Sequence, residues 1–262
     1  MKRMWKIGAK PVVLAHRGGG NEAVENSLSA FAAMEEKGFT YIETDSRATR
    51  DGVVVLFHDD DLERTTDAQK KIAQYSWAEL QNVRDHSGHS IVRFDEALQK
   101  FPHIIFNVDA KCWSVVKPLA RIISQHGAAA HVSLASFSEA RLRALRKALP
   151  GVRSSLGTSA IAMLVLSSYL PGFLGRALAK ICVPGPARGA EAVQVPIEHM
   201  HVKVVTPRFI RLSHARGLAV HVWTINTAST MLQLLNMGVD GIITDEPTLA
   251  QKVIDNFWDQ RS

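Results

Sequence analysis

The chain has 262 residues, 46% of them hydrophobic and 21% charged, which is typical of a soluble globular protein. Its net charge of +6 at pH 7 favours anionic ligands and negatively charged membrane surfaces. The sequence has no block of Lys and Arg and no aromatic-basic repeat, so we expect no nucleic-acid partner. The two cysteines form neither a metal-spaced pair nor a disulfide framework, and no apolar signal core precedes Lys10, so we expect a cytoplasmic protein.

Short apolar runs alternate with helix-like segments along the chain. The first strand is predicted at 11–15, the first helix at 26–38 with Asn26 or Ser27 as its N-cap, and the second strand at 40–45. Six further strands are predicted at 104–108, 132–135, 152–156, 192–195, 218–223 and 239–243. Eight strands separated by helices within about 250 residues predict a (β/α)8 TIM barrel, with a doubly wound open sheet as the alternative.

One apolar run departs from this alternation. Residues 53–57 follow the second strand after only a short turn at Arg50-Asp51-Gly52, so no crossover helix separates the two strands. Asp-Gly between two β-rich runs is a hairpin signal. We therefore predict a β-hairpin excursion after strand 2, in which the returning strand brings His58 onto the barrel mouth beside His16.

The segment 160–181 is predicted to be a helical, apolar insert after strand 5. Its most apolar stretch, 160–174, is short for a bilayer span and contains Pro171. The insert is either the fifth outer helix of the barrel or a surface at the mouth that receives an acyl chain or makes a peripheral membrane contact. No long linker rich in Pro, Gly or Ser divides the chain, so 1–262 is predicted to form a single domain.

Candidate catalytic residues follow from the rule that the active groups of such barrels lie at the C-terminal ends of the strands. The first strand ends at His16-Arg17-Gly18-Gly19, which combines a proton carrier, a cation suited to phosphate and a backbone that turns sharply. Together these residues indicate that an anionic oxygen ester is held and cleaved there. A second histidine, His58, is followed by Asp59 and Asp60, either of which can orient its ring.

Three acids follow the same rule. Glu43 and Asp45 are two residues apart on the second strand and point to the same side, and Asp109 ends the third strand. Hard oxygen ligands of this kind suit Mg²⁺ or Ca²⁺ better than zinc. The alternative is that these acids are solvated strand-end charges paired with basic residues, namely Arg47, Arg50 or Lys111.

An ordered series of motifs carries a family resemblance. The motifs are Ala15-His16-Arg17-Gly18-Gly19, Glu25-Asn26-Ser27, Ile42-Glu43-Thr44-Asp45, Thr49-Arg50-Asp51-Gly52, Val55-Leu56-Phe57-His58-Asp59, Leu62-Glu63-Arg64-Thr65-Thr66, Asn107-Val108-Asp109-Ala110-Lys111, Ala135-Ser136-Phe137, Val222-Trp223-Thr224-Ile225-Asn226 and 238–247. The series covers most of the chain and resembles the glycerophosphodiester phosphodiesterase family.

The resemblance implies a TIM barrel and metal-assisted hydrolysis of a phosphodiester that bears a glycerol-like group. It assigns the general acid and base to two histidines, the divalent cation to three acids, and substrate or phosphate binding to three further side chains. These residues are, in that order, His16 and His58; Glu43, Asp45 and Asp109; and Arg17, Lys111 and Trp223.

Two residues and one segment length depart from the family pattern. Val24 stands where the family usually has proline, and Asp109 where it more often has glutamate, one methylene longer. The segment from Asp59 to Phe101 is shorter than the family's usual excursion, which predicts an open mouth. Alternative functions are therefore a lysophospholipase D or sphingomyelinase-D-like activity on lipids and, from a different class, a non-catalytic barrel that binds phosphodiesters or lipids.

Overall fold

The computed structural model describes residues 4–261. Its strands, in chain order, are β1 (Val12–His16), β2 (Tyr41–Ala48), β3 (Val54–Leu56), β4 (Val92–Arg93), β5 (Ile105–Ala110), β6 (Val132–Ala135), β7 (Arg153–Ser154), β8 (Ala192–Val195), β9 (Glu198–His199), β10 (Val202–Lys203), β11 (Ala219–Val222) and β12 (Gly241–Thr244). The helices are α1 (Leu28–Glu36), α2 (Trp77–Leu80), α3 (Phe94–Lys100), α4 (Val116–Gln125), α5 (Glu139–Ala148), α6 (Thr158–Tyr169), α7 (Gly172–Cys182), α8 (Pro207–Ala215), α9 (Ala228–Met237) and α10 (Pro247–Asp259).

Eight parallel strands form a nearly closed barrel. They are hydrogen-bonded in the order β7-β6-β5-β2-β1-β12-β11-β8, and a parallel bridge between Ser154 and Ala190 brings the two ends of this row together. Helices lie between successive strands, as in other βα barrels. The TIM-barrel prediction is thus confirmed, and the open doubly wound sheet is excluded because the first and last strands of the row meet.

The hairpin after the second barrel strand is present. β2 runs past the barrel and pairs antiparallel with β3, so that Ser46 lies opposite Leu56 and Ala48 opposite Val54. β3 then pairs antiparallel with β4, which directly precedes α3. The chain can reverse at the Asp-Gly turn because Gly52 has a φ of +81°, a left-handed conformation that glycine adopts without strain.

The predicted insert consists of two helices. α6 ends at Tyr169, and Leu170 and Pro171 adopt extended backbone before α7 begins. α6 packs against α7 and α8 through a face that includes Ala160 and Leu164. Across residues 4–261, no helix is long and apolar enough to cross a membrane.

Trp5 closes the N-terminal end of the barrel. Its ring is 2% exposed and packs edge-on against His221, with 4.6 Å between ring centroids. The neighbouring backbone is anchored to residues that precede barrel strands, since Met4 N donates to Glu191 and Gly8 N donates to Asp240. The indole therefore fills the space between the strands at the end opposite the mouth.

We expect Trp5→Ala to lower the free energy of unfolding by about 3–5 kcal/mol, because a fully buried aromatic ring leaves a cavity. The indole Nε1 has no hydrogen-bond partner, so the loss comes from packing. Guanidinium denaturation measures the change. Trp113→Ala, at an exposed tryptophan, is the matched control and should shift stability by less than about 0.5 kcal/mol. Equal losses of unfolding free energy in the two variants would contradict a packing role for Trp5.

Candidate active site

The first part of the site is the tight turn that ends β1. His16 is the last residue of the strand, and Arg17, Gly18 and Gly19 follow with φ values of +53°, +85° and +86°. A Cβ on Gly18 would lie 2.9 Å from the Cβ of Ala30, so only glycine fits between the turn and α1. The turn aims the Arg17 backbone N–H at Glu43, whose Oε2 accepts it at 3.3 Å.

Strand register brings the predicted acids together at one edge of the barrel mouth. His16 pairs with Glu43 across β1 and β2. Asp45 pairs with Asp109 across β2 and β5. All three acidic side chains are buried, which is costly for carboxylates unless cations lie beside them.

Two basic side chains lie among these carboxylates. Lys111 Nζ lies 2.8 Å from both Asp45 Oδ1 and Asp109 Oδ2, and Arg17 Nε lies 3.3 Å from Asp45 Oδ2. Burial alone would raise the pKa of Asp45, but Lys111 and Arg17 lower it below its usual value. Burial and the charge of Asp45 raise the pKa of Glu43 to about 7. Glu43 therefore has less positive charge beside it than Asp45 has.

The alternative pairing predicted for the acids holds in part. Lys111 pairs with two of them, whereas Arg47 pairs with Asp60 and Arg50 with Glu79. In residues 4–261 no three His, Cys, Asp or Glu side chains converge as a ready-made metal site. The donors nevertheless suit a hard divalent cation by their chemistry, because all are carboxylates and the buried Asp109 Oδ1 has no hydrogen-bond partner.

His16 is held by a carboxylate just after the neighbouring strand. Its Nδ1 lies 2.6 Å from Oδ1 of Asp245, the residue that follows β12. Asn226 fixes Asp245 in turn, donating from Nδ2 to Oδ2 at 2.9 Å. Burial would lower the pKa of His16, but Asp245 and Glu43 together raise it. The other ring nitrogen, Nε2, faces Glu43 at 3.8 Å.

The returning hairpin strand places His58 beside Asp45 of β2. Phe57 N donates to the carbonyl of Asp45 at 2.9 Å, so the next residue lies beside the acidic cluster. The charge of His58 also contributes to lowering the pKa of Asp45. Its Nδ1 lies 2.7 Å from Asp59 Oδ1, which identifies Asp59 rather than Asp60 as the orienting acid.

A chain of ion pairs connects the two sides of the mouth. Arg64 binds Asp59 through Nε and donates from Nη2 to Glu25 at 2.6 Å. Glu25 also accepts from Arg17 Nη1 at 3.1 Å. The hairpin that carries His58 is thereby tied to the turn that carries His16 and Arg17.

Trp223 directly follows β11 at the C-terminal end of that strand. Its ring packs edge-on against Phe137, with centroids 6.1 Å apart. Lys111 Nζ lies 5.8 Å from the centre of the Phe137 ring. The predicted phosphate-binding lysine and the predicted substrate-packing tryptophan thus border one surface.

The sequence predicted no role in the site for Asp245 or Asn226, and it predicted Asn26 only as a candidate N-cap of the first helix. Asn26 has a left-handed φ of +53°, donates from Nδ2 to Asp45 at 3.3 Å and accepts from Thr44 at 2.7 Å. Asp245 lies two residues after the strand predicted at 239–243 and directly after the observed β12. The rule that active groups lie at strand ends would have selected it.

The chain matches the model of the glycerophosphoryl diester phosphodiesterase family over residues 16–249. It is 36% identical over 245 residues to the Mycobacterium tuberculosis protein named Probable glycerophosphodiester phosphodiesterase 2, covering 93% of this chain and 90% of the relative. It is 23% identical over 270 residues to human lysophospholipase D GDPD3, covering 92% and 86%.

The fold is that of an Oleispira antarctica phosphodiesterase solved in complex with the product sn-glycerol-3-phosphate. The TM-score is 0.76 at 24% identity, and the match covers 94% of this chain and 97% of that one. The matched sequence region contains the histidine, arginine, acid and lysine positions described above. The chain therefore belongs to the glycerophosphoryl diester phosphodiesterase family of enzymes.

Proposed function

We propose that the protein hydrolyses glycerophosphodiesters to glycerol phosphate and an alcohol, with His16 and His58 as general acid and base. The observation that carries this proposal is the pair of oriented imidazoles, each with a carboxylate on Nδ1, next to the Arg17 and Lys111 cations. Family membership supports the reaction class. The product bound to the Oleispira phosphodiesterase is of the proposed kind.

The orientation of His16 determines which of its nitrogens reacts. When Nδ1–H donates to Asp245, the free position is Nε2, which faces the acidic cluster. His58 is arranged in the same way by Asp59. One imidazole accepts the proton of the nucleophile, and the other donates a proton to the leaving alkoxide, so that no free hydroxide or alkoxide forms.

The phosphate needs positive charge as its oxygens become more negative. Arg17 offers a planar guanidinium and Lys111 a point charge, and both lie at the ends of strands that border the mouth. Two nucleophiles satisfy this arrangement. A hydroxyl of the glycerol group can attack to give a cyclic phosphate that water then opens, or water can attack directly.

A divalent cation, Mg²⁺ or Ca²⁺, is part of the proposal. Glu43, Asp45 and Asp109 would hold it, and when bound it would neutralise the charge that develops on the phosphate. The buried, unpartnered Asp109 Oδ1 and the charge deficit around Glu43 support the assignment. Lys111 bridges Asp45 and Asp109 in the structure, so it would share these two carboxylates with a bound cation.

We expect a chelator to lower hydrolysis of glycerophosphocholine by at least about 10²-fold, and added Mg²⁺ or Ca²⁺ to restore it, because a metal contributes several kcal/mol to such transition states. Glu43→Gln should lose the response to added metal. Glu198→Gln, at an exposed acid on β9, is the matched control and should keep it. Full activity of protein shown by metal analysis to be metal-free would contradict the assignment.

A second candidate is lysophospholipase D activity. The exposure of Phe137 beside Trp223 and Lys111 favours it, because an acyl chain leaving the mouth would meet an apolar surface. Comparing turnover of lysophosphatidylcholine with that of glycerophosphocholine separates the two candidates. A clear preference for glycerophosphocholine would rule out lysophospholipase D as the main activity and support glycerophosphodiester hydrolysis.

A further inference from the structure

The most exposed large apolar side chains lie on one side of the molecule. Within residues 4–261, all of them except Leu232 fall in the segments that follow the third to sixth barrel strands, β5, β6, β7 and β8. The three most exposed side chains of this set are Met200 at 81%, Ile181 at 76% and Phe173 at 75%. We call the following residues the apolar rim: Trp113, Phe137, Tyr169, Phe173, Met200 and Val202.

Two hydrogen bonds fix where α6 lies relative to the other segments of the rim. The first residue of α6, Thr158, donates its N–H to the carbonyl of Phe137 at 2.9 Å. The last residue of α6, Tyr169, donates its hydroxyl to the carbonyl of Lys203 in β10 at 2.9 Å. α6 therefore extends from the loop after β6 to the β9–β10 hairpin, both of which follow C-terminal ends of barrel strands. The rim borders the mouth and reaches the site through the ring contact of Phe137 with Trp223.

The same sector of the chain carries most of the net positive charge. Residues 157–216 contain seven Lys and Arg but only two acids, Glu191 and Glu198. Glu191 is turned towards the opposite end of the barrel, where it accepts from Met4 N. The exposed face of α7 combines Phe173 and Leu174 with Arg176 and Lys180.

A groove beside α7 adds to this charge. It has a volume of about 600 Å³ and is lined by Arg143, Lys147 and Arg188 together with Met163 and Ile181. The one acid among its lining residues, Glu139, is paired with Arg146. The groove is thus basic and partly apolar.

We infer that the apolar rim docks the protein on an anionic phospholipid bilayer with the barrel mouth towards the lipid. Exposed apolar side chains interspersed with Lys and Arg match a surface that is negatively charged outside and apolar beneath. A second copy of the chain would bring two positively charged faces together, and a single acyl chain would leave most of the rim in water. The inference goes beyond the proposed function and holds whichever diester is cleaved.

Flotation of the full-length protein with two kinds of vesicle tests this inference. One kind is pure phosphatidylcholine and the other contains phosphatidylglycerol as well. We expect binding to the anionic vesicles that weakens as salt is raised. The double variant Phe173→Ser/Met200→Ser should bind about tenfold or more weakly, because two side chains no longer insert. Arg176→Glu/Lys180→Glu should weaken binding to anionic vesicles by a comparable factor.

Leu232→Ser is the matched control, since it removes an exposed apolar side chain from α9, outside the rim, and should leave binding unchanged. Hydrolysis of glycerophosphocholine without vesicles should be the same in all these variants, so loss of docking is distinguished from loss of the proposed function. Wild-type protein that floats with neither vesicle would overturn the inference. So would a Phe173/Met200 variant that binds like the wild type, or a dimer in solution that these substitutions dissociate.

Discussion

His58→Ala is expected to lower kcat for glycerophosphocholine by about 10²–10⁴-fold, and His16→Ala by a similar factor, because each removes a proton-transfer group. His16 and His58 reach the mouth from different segments, the end of β1 and the loop after β3, and each is held by its own carboxylate. Steady-state kinetics at saturating metal measures the effect. Denaturation curves of both variants check that the fold persists.

The chain offers a matched control for this experiment. His214 Nε2 lies 2.7 Å from Asp240 Oδ2, which is a histidine–carboxylate pair of the same kind. Asp240 precedes β12 and also accepts from Gly8, so this pair lies at the end of the barrel away from the mouth. His214→Ala should therefore leave kcat within about twofold of the wild type, as expected of a site that is remote from the chemistry. Near-full turnover by His16→Ala or His58→Ala would refute the assigned roles.

Local patterns in the sequence were sufficient to predict the barrel and the hairpin. The apolar runs of β6 and β8 were predicted with the observed bounds, and Ser27 caps α1 by accepting from Ala30 N. The fifth strand was predicted at 152–156 but is only two residues long as β7. On one side β7 is paired only through a single bridge to Ala190, so few residues there have regular strand pairing.

Several contacts within the site could not be predicted, because they depend on how distant segments come together in the fold. The contact between His16 and Asp245 joins residues 229 positions apart and exists because β12 closes the barrel beside β1. The ion pairs of Arg64 with Glu25 and Asp59 depend on how the hairpin folds over the first loop. The acids were found because Glu43 and Asp45 are close in sequence. Their bridging by Lys111 was one of several pairings that the sequence left open.

Asp245→Asn is expected to lower kcat by about 10²–10⁴-fold with a much smaller change in KM, although Asp245 acts only through His16. An asparagine amide can donate to Nδ1, which would move the ring proton to Nε2, so that Nε2 could no longer accept a proton. The burial of Asp245 would raise its pKa, but the hydrogen bonds from His16 and Asn226 lower it, so the group is a stable anionic acceptor. Steady-state kinetics on glycerophosphocholine measures the split between kcat and KM.

A double variant separates positioning from a purely structural role. If Asp245 works by orienting His16, then His16→Ala/Asp245→Asn should be no slower than His16→Ala alone, because the positioned group is already gone. Asp59→Asn should behave in the same way towards His58 and should add its full effect to Asp245→Asn, since the two pairs lie on separate segments. Independent, multiplicative losses from His16→Ala and Asp245→Asn would show instead that Asp245 acts on substrate or on the fold.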